Sequence, residues 1–122
     1  MAQSDALRSV PLFEGLNPKQ LDSIHAVAQT REYDKETILF REGDTGDSLY
    51  LILSGRVKAL LMAEDGREVI LAFLGPGEIV GEMALFNPEE RRTATVVTAE
   101  SSTLLILSGQ QIMKVILYRL KP

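Results

Sequence analysis

The middle of the chain is a series of short apolar or β-branched runs, and this pattern restricts the possible folds more than any other feature of the sequence. Residues that favour turns, namely Gly, Pro, Asp and Asn, separate one run from the next. The six clear runs cover residues 37–40, 48–53, 55–63, 67–74, 93–99 and 102–107. Many short strands at this spacing are typical of an antiparallel sandwich or barrel. The sequence therefore predicts a mainly β fold.

Two connections between these runs contain residues that tight turns require. Asp65 and Gly66 separate two apolar runs, and glycine readily takes the positive φ of a hairpin turn. Gly75, Pro76 and Gly77 follow the second of these runs and place a rigid proline between two flexible residues. We expect a β-hairpin here that ends at a sharp corner.

Helices are predicted on both sides of the strands. Asn17 can cap the first helix, with Pro18 in its first turn and Gln20 placed to bond back to the cap. Apolar residues at helical spacing continue this helix to about Thr30, and they are Leu21, Ile24 and Ala28. Residues 108–111 have the spacing of a capping box and begin a second helix. The apolar face of that helix holds Ile112, Val115, Ile116 and Leu120.

A chain of 122 residues is long enough for one domain with one core and too short for two ordinary ones. We predict a single domain, residues 1–122, made of an N-terminal helical segment (1–30), a β-rich segment (31–107) and a C-terminal helix (108–122). The composition, 45% apolar and 25% charged, is typical of a soluble globular protein. No basic and apolar leader precedes the first helix, so we expect a cytoplasmic location.

Residue counts and net charge limit the kinds of site that the chain can form. The chain has no cysteine, which excludes disulfides, thiolate metal sites and iron–sulfur clusters. Its one histidine, His25, cannot build the multi-ligand sites of zinc or iron enzymes. The acidic loop at residues 41–47 lacks the spacing of a calcium-binding EF-hand and is expected to form turns. The net charge of −4 gives no overall attraction to nucleic acid, and no apolar run is long enough to span a membrane. From these observations together we expect no metal site, no catalytic site and no contact with nucleic acid or membrane.

The stretch VGEMALFNPEERRTATV, residues 80–96, combines groups that suit an anionic ligand. Residues 81–86 can form one short helix, whose free N–H groups and positive dipole end attract a small anion, and Gly81 permits close approach of the backbone. An arginine from the next strand can close on the anion with two donors. Glu82 would repel a phosphate unless it faces a hydroxyl donor. The pattern therefore fits a ligand with a phosphate and a sugar hydroxyl.

These residues also carry a family resemblance. GEMAL, the ten-residue separation of Glu82 from Arg92, and RTATV resemble the phosphate-binding cassette of cyclic-nucleotide-binding domains. Such domains occur in bacterial regulators, protein kinase A regulatory subunits and cyclic-nucleotide-gated channels. REGDTGDSLYLILSGRV, residues 41–57, resembles the earlier strands of that family. PLFEGLNPKQLDSI, residues 11–24, resembles the entry helix of Crp/Fnr-type bacterial regulators.

The resemblance implies an eight-stranded antiparallel β-roll of the jelly-roll kind over residues 31–107, with flanking helices and a short phosphate-binding helix. Two weaker strands are then expected at residues 31–35 and 78–80. It also implies a non-enzymatic sensor of a cyclic nucleotide, cAMP before cGMP, with no other cofactor. In the family a longer helix follows, and in the bacterial regulators it forms the dimer seam before a DNA-binding domain, so DNA binding and dimerisation are expected only of a longer parent protein.

Carried over by position, the resemblance gives each cassette residue a role. Arg92 would bind the cyclic phosphate and Glu82 the ribose 2′-hydroxyl, while Arg91 would be an exposed neighbour. The Thr93 hydroxyl and the backbone around three further residues would complete the phosphate contacts, and these residues are Gly81, Met83 and Ala84. The positions that would line the pocket near the base and sugar are Ala59, Leu71 and Ala72.

Other interpretations within the family stay open. The β-roll can be free of ligand and act as an interaction or folding module. It can also sense another small effector, such as haem or 2-oxoglutarate, although the paired Glu82 and Arg92 favour a cyclic nucleotide. The Thr93 hydroxyl suits either a phosphate or a guanine amino group, so cAMP and cGMP both remain candidates.

Overall fold

The computed structural model describes Leu7, residues 10–83, Glu89 and residues 91–119. Among the elements that lie wholly in these residues, the helices are α1 (Pro18–Ala26), α2 (Gly109–Arg119) and a short 3₁₀ helix at Pro11–Phe13. The eight strands are β1 (Gln29–Tyr33), β2 (Ile38–Phe40), β3 (Ser48–Ser54), β4 (Val57–Met62), β5 (Glu68–Leu74), β6 (Ile79–Val80), β7 (Thr95–Thr98) and β8 (Ser102–Ser108). Within these ranges no helix is long and apolar enough to cross a membrane.

The strands form two four-stranded sheets, and every pairing is antiparallel. One sheet has the order β1-β8-β3-β6 and the other has the order β2-β7-β4-β5. Because neighbours in a sheet are mostly distant in sequence, the chain crosses repeatedly between the two sheets, as in a jelly roll. The predicted eight-stranded antiparallel β-roll is confirmed, and the two weaker strands are β1 and β6.

The capping box predicted for α1 is present, but the predicted end of the helix is wrong. The Asn17 side chain accepts from the Gln20 N–H at 2.8 Å, and the Asn17 N–H donates to the Gln20 side chain at 2.9 Å. The helix ends at Ala26 and does not reach Thr30. From Gln29 onward the chain pairs with β8. The N–H and C=O groups of these residues bond to the sheet. Strand pairing therefore decides the structure here, although the apolar residues have helical spacing.

The first turn of α2 is capped mainly by a loop distant in sequence. The Gly109 N–H donates to the backbone oxygen of Asp47 at 2.9 Å, and the Gln110 N–H donates to the Asp47 carboxylate at 3.1 Å. The predicted cap at Ser108 makes only a longer bond, 3.4 Å from the Gln111 N–H. Because Asp47 directly precedes β3, this cap ties α2 to the first sheet.

The core has two parts, one on each face of the sheet β1-β8-β3-β6. The part beneath the helices contains Leu7, Val10, Phe13, Leu21, Ile24, Leu49, Leu51, Leu105, Leu107 and Ile112. The part between the sheets contains Ile52, Val57, Val80, Val96 and Leu104. Successive residues of β3 and β8 point to opposite parts, as expected for strands buried on both faces. Val115 of the predicted α2 face packs on the first part, and the side chains of Ile116 and Leu120 lie outside the described residues.

Candidate ligand-binding site

A cavity of about 270 Å³ lies between the end of β6, the start of β7 and the second sheet. All four strands of that sheet contribute to its wall. Its apolar lining consists of Phe40, Ala59, Ala72, Leu74, Ile79, Val80, Ala94 and Val96, and its remaining lining consists of Gly81, Glu82, Met83, Arg91, Arg92 and Thr93. The volume is just below the usual range of about 300–1,000 Å³ for ligand pockets, so the site suits a small ligand.

Gly81 stands where β6 ends and has a φ of +88°. This conformation favours glycine, because a side chain is strained there. A Cβ at this position would lie 2.7 Å from the Ser48 carbonyl oxygen and 2.9 Å from Nη1 of Arg92. Only glycine therefore leaves room for the arginine against this part of the backbone.

The guanidinium of Arg92 is half-buried and held by three groups. Nη2 donates to the Ser48 carbonyl oxygen at 2.9 Å, and Nη1 makes a longer bond of 3.4 Å to the Gly81 carbonyl oxygen. The ring of Phe40 lies 4.2 Å from the guanidinium carbon, within the range of a cation–π interaction. The side chain is thus placed by contacts with three separate segments of the chain.

The backbone of Arg92 is anchored as well. Its N–H donates to the Asp44 carbonyl oxygen at 2.8 Å, and its own carbonyl oxygen accepts from the Gly43 N–H at 2.8 Å. The Asp44 carboxylate accepts from the Arg41 N–H at 2.9 Å and closes the loop as a turn. The acidic loop therefore positions the start of the segment that leads to β7. Among the described residues no group of acidic or histidine side chains is arranged to hold a metal ion.

The charge of Arg92 is only partly compensated. Burial lowers the pKa of Arg92, and nearby Tyr50, Asp47 and Asp44 act in the opposite direction. Arginine nevertheless stays protonated in proteins. Within the described ranges no carboxylate forms an ion pair with it. A half-buried cation without an ion pair attracts an anion strongly.

Two buried polar atoms of the cavity have no hydrogen-bond partner in the part of the chain that the structure describes. They are Nε of Arg92 and Oε2 of Glu82. Leaving such an atom unsatisfied costs about 1–3 kcal/mol. The guanidinium nitrogen is a donor and the carboxylate oxygen is an acceptor. Both atoms belong to residues that line the cavity, so a donor and an acceptor that the described residues leave unsatisfied lie close to its wall.

The structure brings most of the predicted site residues together. Seven of them line the cavity: Gly81, Glu82, Met83, Arg92, Thr93, Ala59 and Ala72. Ala84 lies outside the described residues, as does the second half, residues 84–86, of the short helix predicted for residues 81–86. Arg91 is exposed, as expected, but it also lines the cavity edge and donates to the Gly43 carbonyl oxygen at 2.9 Å.

Leu71 was predicted to line the pocket, and the structure places it elsewhere. It is not among the lining residues, and it is 54% exposed. Ala59 pairs with Ala72 and Leu60 pairs with Ile70, so Leu71 is an extra residue in β5. An extra residue of this kind is a β-bulge, which interrupts the alternation of faces that the sequence pattern assumes.

Three contacts of Arg92 are not evident from the sequence. Phe40 and Ser48 contact its guanidinium, and a Cβ on Gly46 would lie 3.3 Å from Nη2. These residues lie more than 40 positions before Arg92, and nothing local to the cassette indicates them. The available signal is the glycine-marked segment at residues 41–57, whose pattern by itself predicts only turns and strands.

Comparison with known proteins agrees with this geometry. A family model described as "Cyclic nucleotide-binding domain" matches residues 30–118. The Cyclic AMP receptor protein of Thermus thermophilus is 38% identical over 110 residues, which cover 90% of this chain and 50% of that protein. The chain spans about half or less of the length of the curated relatives that it matches.

Solved structures of similar sequence have the same fold. The N-terminal domain of a transcriptional regulator from Streptomyces coelicolor A3(2) is 37% identical with a TM-score of 0.83, covering 94% of this chain and 81% of that one. The regulatory domain of Toxoplasma gondii PKA, crystallised with cAMP, is 30% identical with a TM-score of 0.85, covering 92% of this chain and 42% of that one. The family segment includes the whole cavity lining. The chain belongs to the cyclic nucleotide-binding domain family.

Proposed function

We propose that this chain is the cyclic-nucleotide-sensing domain of a regulatory protein and that cAMP is its ligand. The observation that carries the proposal is the pair of partnerless atoms in one cavity, Nε of Arg92 and Oε2 of Glu82, within the described part of the chain. A cyclic nucleotide has phosphate oxygens that accept hydrogen bonds and a ribose hydroxyl that donates one. It can therefore supply both an acceptor for Arg92 and a donor for Glu82, which an apolar ligand cannot do.

In this proposal Arg92 binds the cyclic phosphate. Its guanidinium is already fixed by Phe40 and the Ser48 carbonyl oxygen, so little conformational freedom remains to be lost on binding. A phosphate would supply the anion that this half-buried cation lacks among the residues that the structure describes. The Thr93 hydroxyl and the backbone at Gly81, Met83 and Ala84 are proposed to complete the phosphate contacts.

Glu82 is proposed to accept a hydrogen bond from the ribose 2′-hydroxyl. A carboxylate repels a phosphate, so its presence in the cavity beside Arg92 disfavours a ligand that is only a phosphate. A ligand that presents a hydroxyl to Glu82 and a phosphate to Arg92 avoids this repulsion. The purine would then lie along the apolar wall, where Ala59 and Ala72 leave space because their side chains are small.

We propose cAMP because the names of similar proteins refer to it. They include a Cyclic AMP receptor protein and a CRP-like cAMP-activated global transcriptional regulator. We propose the same kind of output for a protein that contains this domain, with binding of cAMP here and regulation of transcription through DNA elsewhere. The domain itself would act as a sensor and not as an enzyme. cGMP shares the phosphate and the ribose, and Thr93 also suits the guanine amino group, so cGMP is the competing ligand.

Thermal denaturation with a panel of nucleotides tests the proposal. Binding to the folded state raises the midpoint of unfolding by mass action. We expect the largest increase with millimolar cAMP, a smaller one with cGMP, and almost none with adenosine, which lacks the phosphate. The Arg92→Ala variant is the control and should lose most of the cAMP effect. If no cyclic nucleotide raises the midpoint, the proposal is wrong and the ligand-free interaction module becomes the better interpretation.

A further inference from the structure

The ring of Phe40 supports the guanidinium of Arg92 from one side. The guanidinium carbon lies 4.2 Å from the centre of the ring. A ring over the guanidinium carbon does not take up the N–H donors, which all lie in the guanidinium plane. Nη2 and Nη1 each donate one of their two N–H groups, to the carbonyl oxygens of Ser48 and Gly81. Among the described residues the buried Nε has no partner, so these contacts fix the guanidinium without using all of its donors.

An irregularity in β2 brings Phe40 to this position. Ile38 pairs with Val97 and Phe40 pairs with Val96, so Leu39 is an extra residue in β2. In a regular strand Ile38 and Phe40 would share a face. Instead, Ile38 is 42% exposed, whereas Phe40 packs against the core between the sheets and lines the cavity. A β-bulge redirects side chains in this way, and here it turns the ring into the cavity.

Tyr50 supports Phe40 in turn. The two ring centres are 6.0 Å apart and the planes are inclined by 34°, which is within the range of favourable aromatic contacts. Tyr50 and Phe40 both pack against the core between the sheets. The three side chains of Arg92, Phe40 and Tyr50 therefore form a continuous stack from the cavity into the core. The guanidinium rests on a surface that core packing holds in place.

We infer that Phe40 is a positioning residue for Arg92, holding the guanidinium at the cavity wall in the orientation in which it meets the ligand. The consequence for binding rests on the proposed function, in which Arg92 holds the phosphate of cAMP. The chain offers a matched control, because Arg56 lies 4.5 Å from the ring of Phe73. Phe73 is on β5, is 48% exposed and does not line the cavity. Replacing Phe73 removes the same kind of contact at a side chain that does not line the cavity.

The orientation of Arg92 can be tested without a ligand by NMR. In the wild type the Arg92 Nε–H, assigned by its loss in Arg92→Lys, should show the ¹⁵N relaxation of an immobile side chain. We expect Phe40→Leu to give it the relaxation of a mobile arginine, Phe40→Tyr to keep it immobile, and Phe73→Leu to leave it unchanged. An Arg92 Nε–H that stays immobile in Phe40→Leu would overturn the inference.

Calorimetry with cAMP measures the effect on binding. Phe40→Leu keeps an apolar side chain, and we expect it to weaken cAMP binding by about 3- to 30-fold, the equivalent of one cation–π contact. Phe40→Tyr and Phe73→Leu should stay within about twofold of the wild type. Phe40→Met is a second non-aromatic variant, so a folding defect in one variant does not decide the result.

Two binding results would overturn the inference. One is wild-type affinity for cAMP in folded Phe40→Leu and Phe40→Met. The other is a loss that Phe40→Tyr does not restore, because the site would then require a particular shape and not an aromatic ring. If the wild type itself does not bind cAMP, the proposed function fails. The NMR signals of Arg92 still decide in that case whether Phe40 positions the arginine.

Discussion

The backbone carbonyl oxygen of Asp47 accepts a hydrogen bond from the Gly109 N–H at 2.9 Å, and this bond joins the loop before β3 to the first turn of α2. The next residue, Ser48, accepts from Nη2 of Arg92 at 2.9 Å. Two consecutive residues thus connect Arg92, the proposed phosphate-binding arginine, to α2. A shift of Arg92 on ligand binding would act directly on the segment that caps this helix, and the ligand would favour whichever arrangement binds it better.

The Asp47 cap should contribute measurably to stability. Asp47→Ala removes the carboxylate that accepts from the Gln110 N–H. We expect a loss of about 1 kcal/mol in the free energy of unfolding, the usual effect of removing a helix cap. Denaturant unfolding measures this difference. Asp47→Asn is the control and should retain most of the stability, because asparagine also caps helices. Equal losses in the two variants would show that the charge, and not the cap, is what stabilises.

The two adjacent arginines should differ in their effect on cAMP binding. Arg92→Ala should weaken binding by about tenfold to a hundredfold, because a charge-assisted hydrogen bond contributes about 1.5–3 kcal/mol. Arg91 is exposed and its side chain donates to the Gly43 carbonyl oxygen, so Arg91→Ala should change the affinity by less than about threefold. Calorimetry on both variants checks this. Comparable losses would mean that the phosphate has been assigned to the wrong arginine.

Glu82 should determine whether the site recognises the ribose hydroxyl. In the wild type, 2′-deoxy-cAMP should bind about tenfold more weakly than cAMP, because Oε2 of Glu82 then stays unsatisfied. In Glu82→Ala the two nucleotides should bind almost equally. The ratio of the two dissociation constants is the measurement, and it is independent of any general change in affinity. A ratio that Glu82→Ala leaves unchanged would remove Glu82 from this role.

Gly81 should tolerate substitution less well than a glycine of similar φ in open space. Gly66 has a φ of +89° and nothing lies within 4 Å of the position that a Cβ would take there, whereas a Cβ on Gly81 would lie 2.7 Å from the Ser48 carbonyl oxygen. Gly66→Ala should cost about 1 kcal/mol for the backbone conformation alone. Gly81→Ala should cost at least about 1 kcal/mol more. Denaturant unfolding of both variants gives the difference, and equal losses would argue against the close contact.

Local sequence signals predicted the features that depend on a few neighbouring residues. Asn17 and Gln20 form their capping box because both partners lie within one helical turn. Gly66 has the positive φ that the hairpin between β4 and β5 requires. The end of α1 was predicted less well, because Gln29 and the residues after it pair with a strand that lies at the other end of the chain. Local spacing contains no information about that pairing.

The residues of the candidate site also differ in whether local sequence signals could predict them. Glu82 and Arg92 could be identified from one short cassette and its resemblance to a family, and the structure brings both to one cavity. Leu71 could not be placed correctly, because the bulge in β5 depends on how β4 and β5 pair. Phe40 was missed for a related reason, since the bulge in β2 that turns its ring toward the cavity depends on pairing with β7.

The sequence by itself determined six of the eight strands, the cap of α1 and the chemical groups of the cassette, because each depends on residue type and short-range spacing. Only the tertiary structure decided where the guanidinium of Arg92 lies. Its contacts come from Phe40 on β2, the Ser48 carbonyl at the start of β3 and Gly81 after β6. These segments meet only when the two sheets pack face to face, and that packing depends on contacts between residues far apart in the chain.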